Sequence, residues 1–357
     1  MSEPTSFVAQ TVVRLSDPAG ILAKMCDHIA AHTAVRVRSD GAEVDSPYGR
    51  VDIVTKTDAL SVKVAGTNAT DLSVLKAVFA EHLHQFAGDD TPAFTWTGDD
   101  AARRDLPYLH ELVVAGAQQL TPRMRRVILK GNTAAFDVRG YHVRVLIAPE
   151  GREPVWPTAG ADGRTVWPTG PDTLRPRVYT IRSIDHERDE IAIDVVLHDG
   201  SPGSEWALDA VPGDRVGLLG PGGTGAAPKA DAYVFAGDET ALPAIARMLE
   251  GLPETAHAIV RLEIADAAEE QALVSPATLD LAWLHRDGAP AGTTDYLDTA
   301  VRALDWTALP ENTYVFAAAE QTTTRAIRSF LDKDIGFQKS RRMAAAYWRL
   351  GAVGDDE

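Results

Sequence analysis

The segment Arg177-Val178-Tyr179-Thr180-Ile181-Arg182 decides the fold of this chain. On a β-strand successive side chains point to opposite faces, so Arg177 and Tyr179 share one face while Thr180 lies on the other. An aromatic ring beside guanidinium groups offers a stacking surface and forks that bind a diphosphate. The same pattern also fits a tyrosine packed on a barrel with arginines in solvent.

The residues around this segment alternate between strands and turns, with little helix. Such a pattern between about 107 and 225 predicts a small antiparallel β-barrel. The predicted strands are 110–115, 124–130, 142–147, 177–184, 191–197 and 215–219. The loop 149–176 is long and rich in Pro and Gly, and it carries Trp156 and Trp167. A loop of this length in a compact domain is usually functional or mobile.

A second feature follows the fifth predicted strand, in the segment His198–Ala207. A strand ends at His198, and the turn Gly200-Ser201-Pro202-Gly203 leads into a short helix near Ser204. The N-terminus of a helix presents free N–H groups to a diphosphate, and glycine lets the backbone approach closely. His198 by itself fits a structural histidine better than a catalytic one.

From about residue 230 the pattern changes to strands that alternate with helices, which predicts a parallel sheet covered by helices. The predicted strands are 232–236, 258–264, 282–284 and 314–318, and the predicted helices are 241–249, 296–304 and 323–331. The turn Gly237-Asp238-Glu239-Thr240-Ala241 would place a cofactor at the carboxyl edge of this sheet. It is not a G-x-G-x-x-G motif, and an ordinary strand–turn–helix fits it equally well.

The first 98 residues predict a small α+β domain. A strand at 10–15 precedes a helix with Asp17 as N-cap, strands follow at 34–38, 49–55 and 60–64, and a helix spans 69–86. Four histidines on the two helices, His28, His32, His82 and His84, are a weak alternative metal site, since no carboxylate pattern accompanies them. No metal is expected. The predicted domains are residues 1–98, 107–225 and 230–357.

Composition excludes several classes of function. The chain has 357 residues, which indicates two or three domains. A net charge of −16 argues against a broad nucleic-acid surface. Cys26 is the single cysteine, which excludes an internal disulfide and a Cys-ligated iron–sulfur cluster. Because no secretory signal and no apolar run of ~20 residues is visible, we expect a cytoplasmic protein without membrane insertion.

The C-terminal segment departs from the acidic composition of the chain. Its basic residues are Lys339, Arg341, Arg342 and Arg349. They fit a solvated helix face that complements a helix dipole, or a small basic pocket for an anionic ligand.

Taken together, these motifs resemble the siderophore-interacting protein family of flavin reductases, over about residues 107–351. The matching motifs, in order, are Arg177-x-Tyr179-Thr180-x-Arg182, Trp206-Ala207, Gly237–Ile245 and Ala346-Tyr347-Trp348-Arg349-Leu350-Gly351. The first domain is similar to a small domain of unassigned function that is sometimes fused to these reductases. That likeness rests on Cys26-Asp27-His28, His82-Leu83 and Phe86-Ala87.

The resemblance implies FAD and a nicotinamide as cofactors and a ferric siderophore as substrate. It implies that Tyr179 packs on the isoalloxazine, that Thr180 lies near the reactive edge of the flavin, and that Glu239, Thr240 and Ala241 line the nicotinamide site. The remaining cofactor-binding residues would be Arg177, Arg182, His198, Gly203, Ser204 and Trp206. The substrate-binding residues would be Lys339, Arg341, Arg342 and Arg349.

The chemistry of the ligands indicates the mechanism. A nicotinamide gives two electrons as hydride and Fe(III) accepts one, so a flavin is needed between them. No general acid or nucleophile is required, and no catalytic side chain is predicted. Asp266, Glu269 and Glu270 follow a strand of the parallel sheet and disfavour a 2′-phosphate, which points to NADH over NADPH. Two alternatives remain: a flavin reductase for another acceptor, and a non-catalytic siderophore-binding module. The sequence does not indicate the oligomeric state.

Overall fold

A computed structural model describes residues 6–30, 33–88, 90, 92–137 and 140–352. The chain forms two compact units. The first holds the chain up to Leu109 together with Glu150–Leu174, and the second holds His110–Pro149 and the chain from Arg175 onward. Within the described ranges, no helix is both long enough and apolar enough to cross a bilayer.

The first unit is built on one antiparallel sheet and two helices. Its elements are β1 Phe7–Arg14, α1 Pro18–Ile29, β2 Ala34–Arg38, β3 Gly41–Ser46, β4 Gly49–Thr55, β5 Ala59–Gly66, α2 Ala69–Phe86 and β6 Thr97–Gly98. The strand order is β2-β3-β4-β5-β1-β6. Asp17 caps α1 by accepting a hydrogen bond from the N–H of Gly20, and Asn68 caps α2 in the same way. Both helices pack on the sheet around one apolar core, which confirms the α+β prediction.

Two strands of this sheet, β3 and the two-residue β6, escape the sequence prediction. β3 has only Ala42 and Val44 as apolar side chains pointing to the core, and its other face carries Glu43 and Asp45. Such a short alternation is weak as a strand signal. The acidic residues instead belong to ion pairs on the wet face of the sheet, where Asp45 lies 2.8 Å from the guanidinium of Arg50.

The second unit begins with the barrel. In chain order its elements are β7 Leu109–Thr121, β8 Met124–Lys130, β9 His142–Ile147, β12 Arg175–Asp185, β13 Glu190–Val196, α3 Pro202–Asp209 and β14 Arg215–Gly222. The short strands β10 Thr158–Ala159 and β11 Thr165–Val166 come between β9 and β12 in sequence but belong to the first unit. The other six strands close into a barrel in the order β12-β13-β8-β7-β14-β9. Fully buried Val127, Ile193 and Leu218 belong to its core. The predicted barrel is confirmed.

The long segment between β9 and β12 packs with the N-terminal elements of the first unit. Its β10–β11 hairpin is held by a 2.7 Å hydrogen bond from the indole N–H of Trp96 to the carbonyl of Asp162. The N–H of Ala159 also donates to the carbonyl of Arg104, at 2.7 Å. This insertion therefore contributes to the packing of the first unit.

The rest of the second unit is a parallel α/β lobe. It contains β15 Ala232–Asp238, α4 Leu242–Glu250, β16 His257–Ile264, β17 Thr278–His285, α5 Tyr296–Arg302, β18 Thr313–Glu320, α6 Gln321–Ser329 and β19 Arg342–Trp348. The strand order is β17-β16-β15-β18-β19, and all pairs are parallel. Every residue of β15 and β18 is buried, as expected for central strands that are covered on both faces.

Two expectations for this lobe are wrong in detail. The basic C-terminal segment is not a helix face: after one turn of 3₁₀-helix at Lys339–Arg341, it forms the edge strand β19. The predicted short strand 282–284 is part of the eight-residue β17. β17 and β19 lie at the edges of the sheet, where mixed polar and apolar side chains hide the apolar run that marks a central strand.

Candidate functional site

Tyr179 on β12 lies where the barrel meets α3. Its ring is 6.3 Å from the ring of Trp206 and packs against the barrel core. Burial raises the pKa of Tyr179 to about 12, although the nearby guanidinium of Arg177 opposes the shift. The phenol is therefore neutral near pH 7, and a flat aromatic surface lies beside a cation.

The N-terminus of α3 lies directly against this ring. A Cβ atom on Gly203 would come within 1.7 Å of the Tyr179 hydroxyl, so only glycine fits at this position. The Ser201 side chain does not cap the helix, which leaves the first N–H groups of α3 available to an anion. Ser204 supports the turn, because its hydroxyl accepts from the N–H of His198 at 2.9 Å. The two separate sequence motifs thus meet in one place.

Two predicted cofactor residues, Arg182 and His198, take no part in this arrangement, and the side chain of Arg177 also bonds to the backbone. Arg182 forms a 2.6 Å ion pair with Glu250 on α4, and this contact holds the guanidinium at the parallel lobe. His198 is exposed, and its backbone N–H makes the contact to Ser204. Arg177 donates a 2.6 Å hydrogen bond to the carbonyl of Pro176. Roles for these three side chains toward a cofactor stay predictions.

Thr180 is buried and is paired with His142 on β9. Nε2 of His142 lies 2.8 Å from the hydroxyl of Tyr347 on β19. Burial lowers the pKa of His142, although a hydrogen bond to the backbone of Thr224 opposes the shift. A neutral ring with its proton directed to Thr224 accepts the Tyr347 O–H at Nε2. The C-terminal Tyr-Trp motif is thereby joined to the strand beside Thr180.

Two further contacts fix the barrel against the parallel sheet. Arg247 on α4 donates to the carbonyl of Ile181 at 2.8 Å and lies over the ring of Tyr141 at 3.9 Å. Glu269 is buried and accepts hydrogen bonds from the Thr121 hydroxyl at 2.6 Å and the Arg123 N–H at 2.9 Å. The barrel and the parallel lobe are therefore joined by hydrogen bonds from Arg247 and to Glu269.

The same contacts weaken the sequence argument for NADH. The carboxylate of Glu269 is committed to the barrel, and Glu270 lies 2.8 Å from Nε2 of His285. Asp266 remains exposed and caps a short 3₁₀ turn. The preference for NADH stays a prediction that depends on Asp266 alone.

A buried ionic cluster occupies the carboxyl edge of the parallel sheet. Arg286, 4% exposed, follows β17 and holds both oxygens of Glu239, at 3.0 and 2.5 Å. The carboxylate of Glu263, at the end of β16, lies 3.6 Å from the same guanidinium. Burial opposes the charge on Arg286, but the hydrogen bonds and charge of Glu239 and the charge of Glu263 raise its pKa. This cluster fixes the loop that follows β15.

Asp238 fastens the last strands to that loop. It accepts hydrogen bonds from the N–H and hydroxyl of Thr240, from the N–H of Glu320 at 3.1 Å, and from the indole of Trp348 at 2.7 Å. Burial raises the pKa of Asp238 to about 6, although the bonds from Thr240 and Trp348 oppose this shift. β15, β18 and β19 therefore end at one shared carboxylate.

The predicted nicotinamide residues lie at this edge, but their side chains are already occupied. Glu239 is neutralised by Arg286, Thr240 bonds to Asp238, and Ala241 is fully buried in the core. Any contact with a nicotinamide would use the backbone of this turn. Their role in binding it stays a prediction.

The four basic C-terminal residues fall into two pairs. Arg341 donates to the side chain of Asn312 and to the carbonyl of Thr313, and Arg342 pairs with Asp332. Lys339 and Arg349 are exposed and make no ion pair with any residue that the structure describes. Of these four residues, Lys339 and Arg349 are the ones whose charges no described ion pair balances.

The described histidines of the first unit, His28, His82 and His84, do not form a recognisable metal site. The rings of His28 and His82 are 5.3 Å apart, and Nε2 of His84 lies 3.3 Å from Asp162. His32 lies outside the described residues. Among those described, no three His, Cys, Asp or Glu side chains are grouped to hold a metal ion.

Sequence reasoning missed several residues that hold the site together, among them Glu263, Arg286, His142 and Tyr347. Two of these had a usable signal. Glu263 interrupts the apolar run of β16 near its carboxyl end, and Arg286 follows β17. Polar residues at the ends of parallel strands meet at one edge of the sheet. Tyr347 belongs to the C-terminal motif quoted from the sequence, but its contact with His142 gave no such signal, because the two residues are 205 positions apart.

Three family models match successive parts of the chain. Residues 10–97 match an uncharacterised protein domain conserved in bacteria, residues 113–225 match the siderophore-interacting FAD-binding domain, and residues 230–351 match the siderophore-interacting protein model. The last two models cover the barrel and the parallel lobe.

Several known proteins resemble this chain. The ferric vibriobactin reductase ViuB of Vibrio cholerae is 31% identical over 217 residues, 60% of this chain and 79% of that protein. The NADPH-dependent ferric-chelate reductase of Escherichia coli is 33% identical over 194 residues, 52% of this chain and 74% of that protein. The crystal structure of a siderophore utilization protein from T. fusca has a TM-score of 0.61 at 38% identity, covering 71% of this chain and 98% of that one.

An FAD-binding barrel joined to a parallel lobe with an ordered carboxyl edge defines a two-lobed flavin oxidoreductase. Within that class, the barrel and the parallel lobe each match a model of siderophore-interacting proteins. The chain belongs to the siderophore-interacting protein family, which confirms the resemblance seen in the sequence.

Proposed function

We propose that this protein is an FAD-dependent reductase that passes electrons from NAD(P)H to ferric siderophores. The observation that carries the proposal is the consecutive match of the barrel and the parallel lobe to the siderophore-interacting models. Relatives that the chain covers over most of their length are named as a ferric vibriobactin reductase and a ferric-chelate reductase. A single compact unit holds both lobes.

The residues at the barrel fit FAD. Tyr179 offers a neutral aromatic surface, Arg177 places a cation beside it, and the uncapped end of α3 offers N–H groups for a diphosphate. The missing Cβ of Gly203 allows the helix end and the ring to touch. When bound, FAD accepts two electrons as hydride and releases them singly.

The protein would hold the two cofactors in position and exclude water from the region where they meet. Thr180 and the His142–Tyr347 hydrogen bond lie at the boundary between the lobes, where a flavin edge and a nicotinamide would meet. Arg247 and Glu269 keep the lobes in register. Because electron transfer to Fe(III) needs no proton from the protein, the buried acids of the carboxyl edge serve structure.

Reduction of the metal explains release. Siderophores hold Fe(III) through hard oxygen donors, and Fe(II), which is softer and less charged, is held less tightly. We propose that iron is released in the cytoplasm, because the nicotinamide electron donor is found there. Binding would precede release and would depend on charge, since many ferric siderophores are anionic.

Lys339 and Arg349 are the proposed substrate-docking cations. Replacing both with alanine should raise KM for an anionic ferric siderophore about tenfold, equivalent to about 1.4 kcal/mol. We call Tyr179, Arg177 and the N-terminus of α3 the flavin cradle. The kcat and the KM for NAD(P)H should not change, because the two side chains make no hydrogen bond or ion pair with this cradle or with the turn 239–241 in the described structure. Steady-state kinetics at low and high salt measure this, and the difference should shrink as salt screens the charges.

The matched control is Lys229→Ala, an exposed lysine outside the C-terminal segment, which should leave KM unchanged. If the double variant keeps its KM at low salt, the docking assignment is wrong. If the native protein turns over quinones or free flavin but shows no activity with ferric siderophores, the flavin reductase for another acceptor would be favoured. A purified protein without flavin absorbance that still binds a ferric siderophore would favour the non-catalytic module.

A further inference from the structure

The backbone on either side of Arg349 is fixed, although the arginine side chain itself is exposed. The indole N–H of Trp348 donates a 2.7 Å hydrogen bond to the carboxylate of Asp238. The N–H of Leu350 donates to the carboxylate of Glu320 at 3.2 Å. The residues before and after the arginine are therefore each held by a buried acid.

A turn holds the same segment from its other end. The N–H of Ala352 donates to the carbonyl of Arg349 at 3.1 Å. Gly351 lies inside this turn with a φ of +81°, a conformation that favours glycine. The guanidinium is therefore carried by an ordered segment, and its freedom lies in the side-chain torsions.

The two acids are firmly placed, since both end central strands of the parallel sheet. Asp238 ends β15 and also accepts hydrogen bonds from the N–H groups of Thr240, at 2.9 Å, and of Glu320, at 3.1 Å. Glu320 ends β18 and caps α6 by accepting from the N–H groups of Thr322 and Thr323. The end of β19 is therefore tied to the carboxyl edge of the sheet.

The loop before α5 keeps the Trp348 ring in place. A Cβ atom on Gly292 would lie 2.8 Å from Cη2 of this ring and 3.0 Å from Cγ of Glu320. The φ of Gly292 is +73°, which also favours glycine. The loop backbone thus rests on the ring and on Glu320, and the indole N–H stays directed at Asp238.

A cation on an ordered segment binds an anion at a lower entropic cost than a cation on a mobile one. We propose, on the basis of the reductase function proposed above, that Trp348 is a positioning residue for substrate docking. Its bond to Asp238 holds Arg349 at the carboxyl edge of the sheet, ready for an anionic ferric siderophore. The turn 239–241, predicted to meet the nicotinamide, follows Asp238 directly. One carboxylate would therefore place the docking cation and the nicotinamide turn at the same edge.

The first test measures binding without turnover. Flavin-loaded, full-length protein is titrated with the gallium(III) complex of an anionic tris-catecholate siderophore, because gallium(III) is not reduced under these conditions. Arg349→Ala should raise the Kd about fivefold through the lost charge. Trp348→Phe keeps an aromatic ring but removes the N–H, and it should raise the Kd about threefold because the arginine must then be ordered on binding.

A double variant separates positioning from direct contact. In the Arg349→Ala background, Trp348→Phe should have no further effect on the Kd, since it acts through the arginine. Losses that simply add would show that Trp348 contacts the siderophore itself, and would overturn the positioning role. The matched control is Trp306→Phe, which removes a 3.0 Å indole hydrogen bond to the carbonyl of Val301 in the same lobe and should bind normally.

The second test needs no siderophore. Trypsin cleaves after arginine, and mass spectrometry of the peptide that begins at Leu350 reports how readily the segment opens. Trp348→Phe should be cut after Arg349 about fivefold faster than the native chain, with cleavage after the exposed Lys56 as the internal reference. Gly292→Ala should have the same effect, because its methyl group displaces the ring while the cleaved sequence is unchanged.

The possible failures are distinguishable. If the rate of cleavage after Arg349 is unchanged in both variants, Trp348 does not hold the segment and the proposal is wrong. If Arg349→Ala weakens binding of the gallium complex but Trp348→Phe does not, the positioning role is wrong and the reductase function stands. If the native protein binds no such complex, siderophore reduction itself is contradicted, and the docking role falls with it.

Discussion

Tyr179→Ala should yield a protein that purifies without flavin. The ring supplies the aromatic surface of the cradle and touches the N-terminus of α3. Stacking of aromatic rings contributes about 0.5–1.5 kcal/mol beyond the area they bury, so with the lost area we expect flavin affinity to fall about a hundredfold. Arg177→Ala should weaken binding as well, because a diphosphate would lose a charged donor. Flavin absorbance relative to protein absorbance measures both.

Tyr179→Phe separates the ring from its hydroxyl and should retain flavin. Arg188→Ala removes an exposed barrel arginine that pairs with Glu190 at 2.9 Å, and it should purify fully loaded. Unchanged flavin content in both Tyr179→Ala and Arg177→Ala would show that the cradle is elsewhere. Equal thermal midpoints of the apoproteins would confirm that the variants fold.

Arg286→Met should destabilise the parallel lobe by about 3–5 kcal/mol, because it leaves the buried carboxylates of Glu239 and Glu263 without their cation. Adding Glu239→Gln should recover part of this loss, since one uncompensated charge is removed. Urea unfolding followed by tryptophan fluorescence includes the signal of the lobe, which contributes Trp283, Trp306 and Trp348 among the seven tryptophans of the chain.

The control is Arg261→Met, which removes a pair between a largely buried arginine and the half-exposed Asp280 at 3.0 Å on the same sheet. An ion pair with a solvent-exposed partner contributes about 1 kcal/mol or less, so the loss should be much smaller. If Arg286→Met costs no more than this control, the cluster at the carboxyl edge does not hold the lobe together.

The parts of the fold with strong local patterns were predictable. α2 was expected at 69–86 and is found at Ala69–Phe86. Its apolar stripe marks the buried face of the helix, and the cap at Asn68 marks its first residue. The central strands β15 and β18 read as apolar runs because they are buried on both sides. Edge strand β19 was missed, because its basic start and mixed composition lack such a run.

The candidate site was predictable only in part. Tyr179 and Gly203 belong to motifs whose spacing indicates a cradle, and the structure brings them together. Arg182 and Glu239 have side chains suited to a cofactor, but each is already in an ion pair with a partner distant in sequence. Arg182 pairs with Glu250, and Glu239 pairs with Arg286. Local patterns do not encode such partners, since the first pair forms only when the barrel and the sheet pack, and the second only when the strands of the sheet align. The hairpin contact to Trp96 has the same origin.

The most direct test of the central claim is a single-turnover assay without oxygen. The purified, flavin-loaded protein is mixed with NADH or NADPH, then with a ferric siderophore and a ferrous chelator that reports free Fe(II). The account predicts that the nicotinamide bleaches the flavin, and that the siderophore restores its colour as two Fe(II) appear per nicotinamide oxidised. A flavin that the nicotinamide reduces but that no ferric siderophore reoxidises would contradict it.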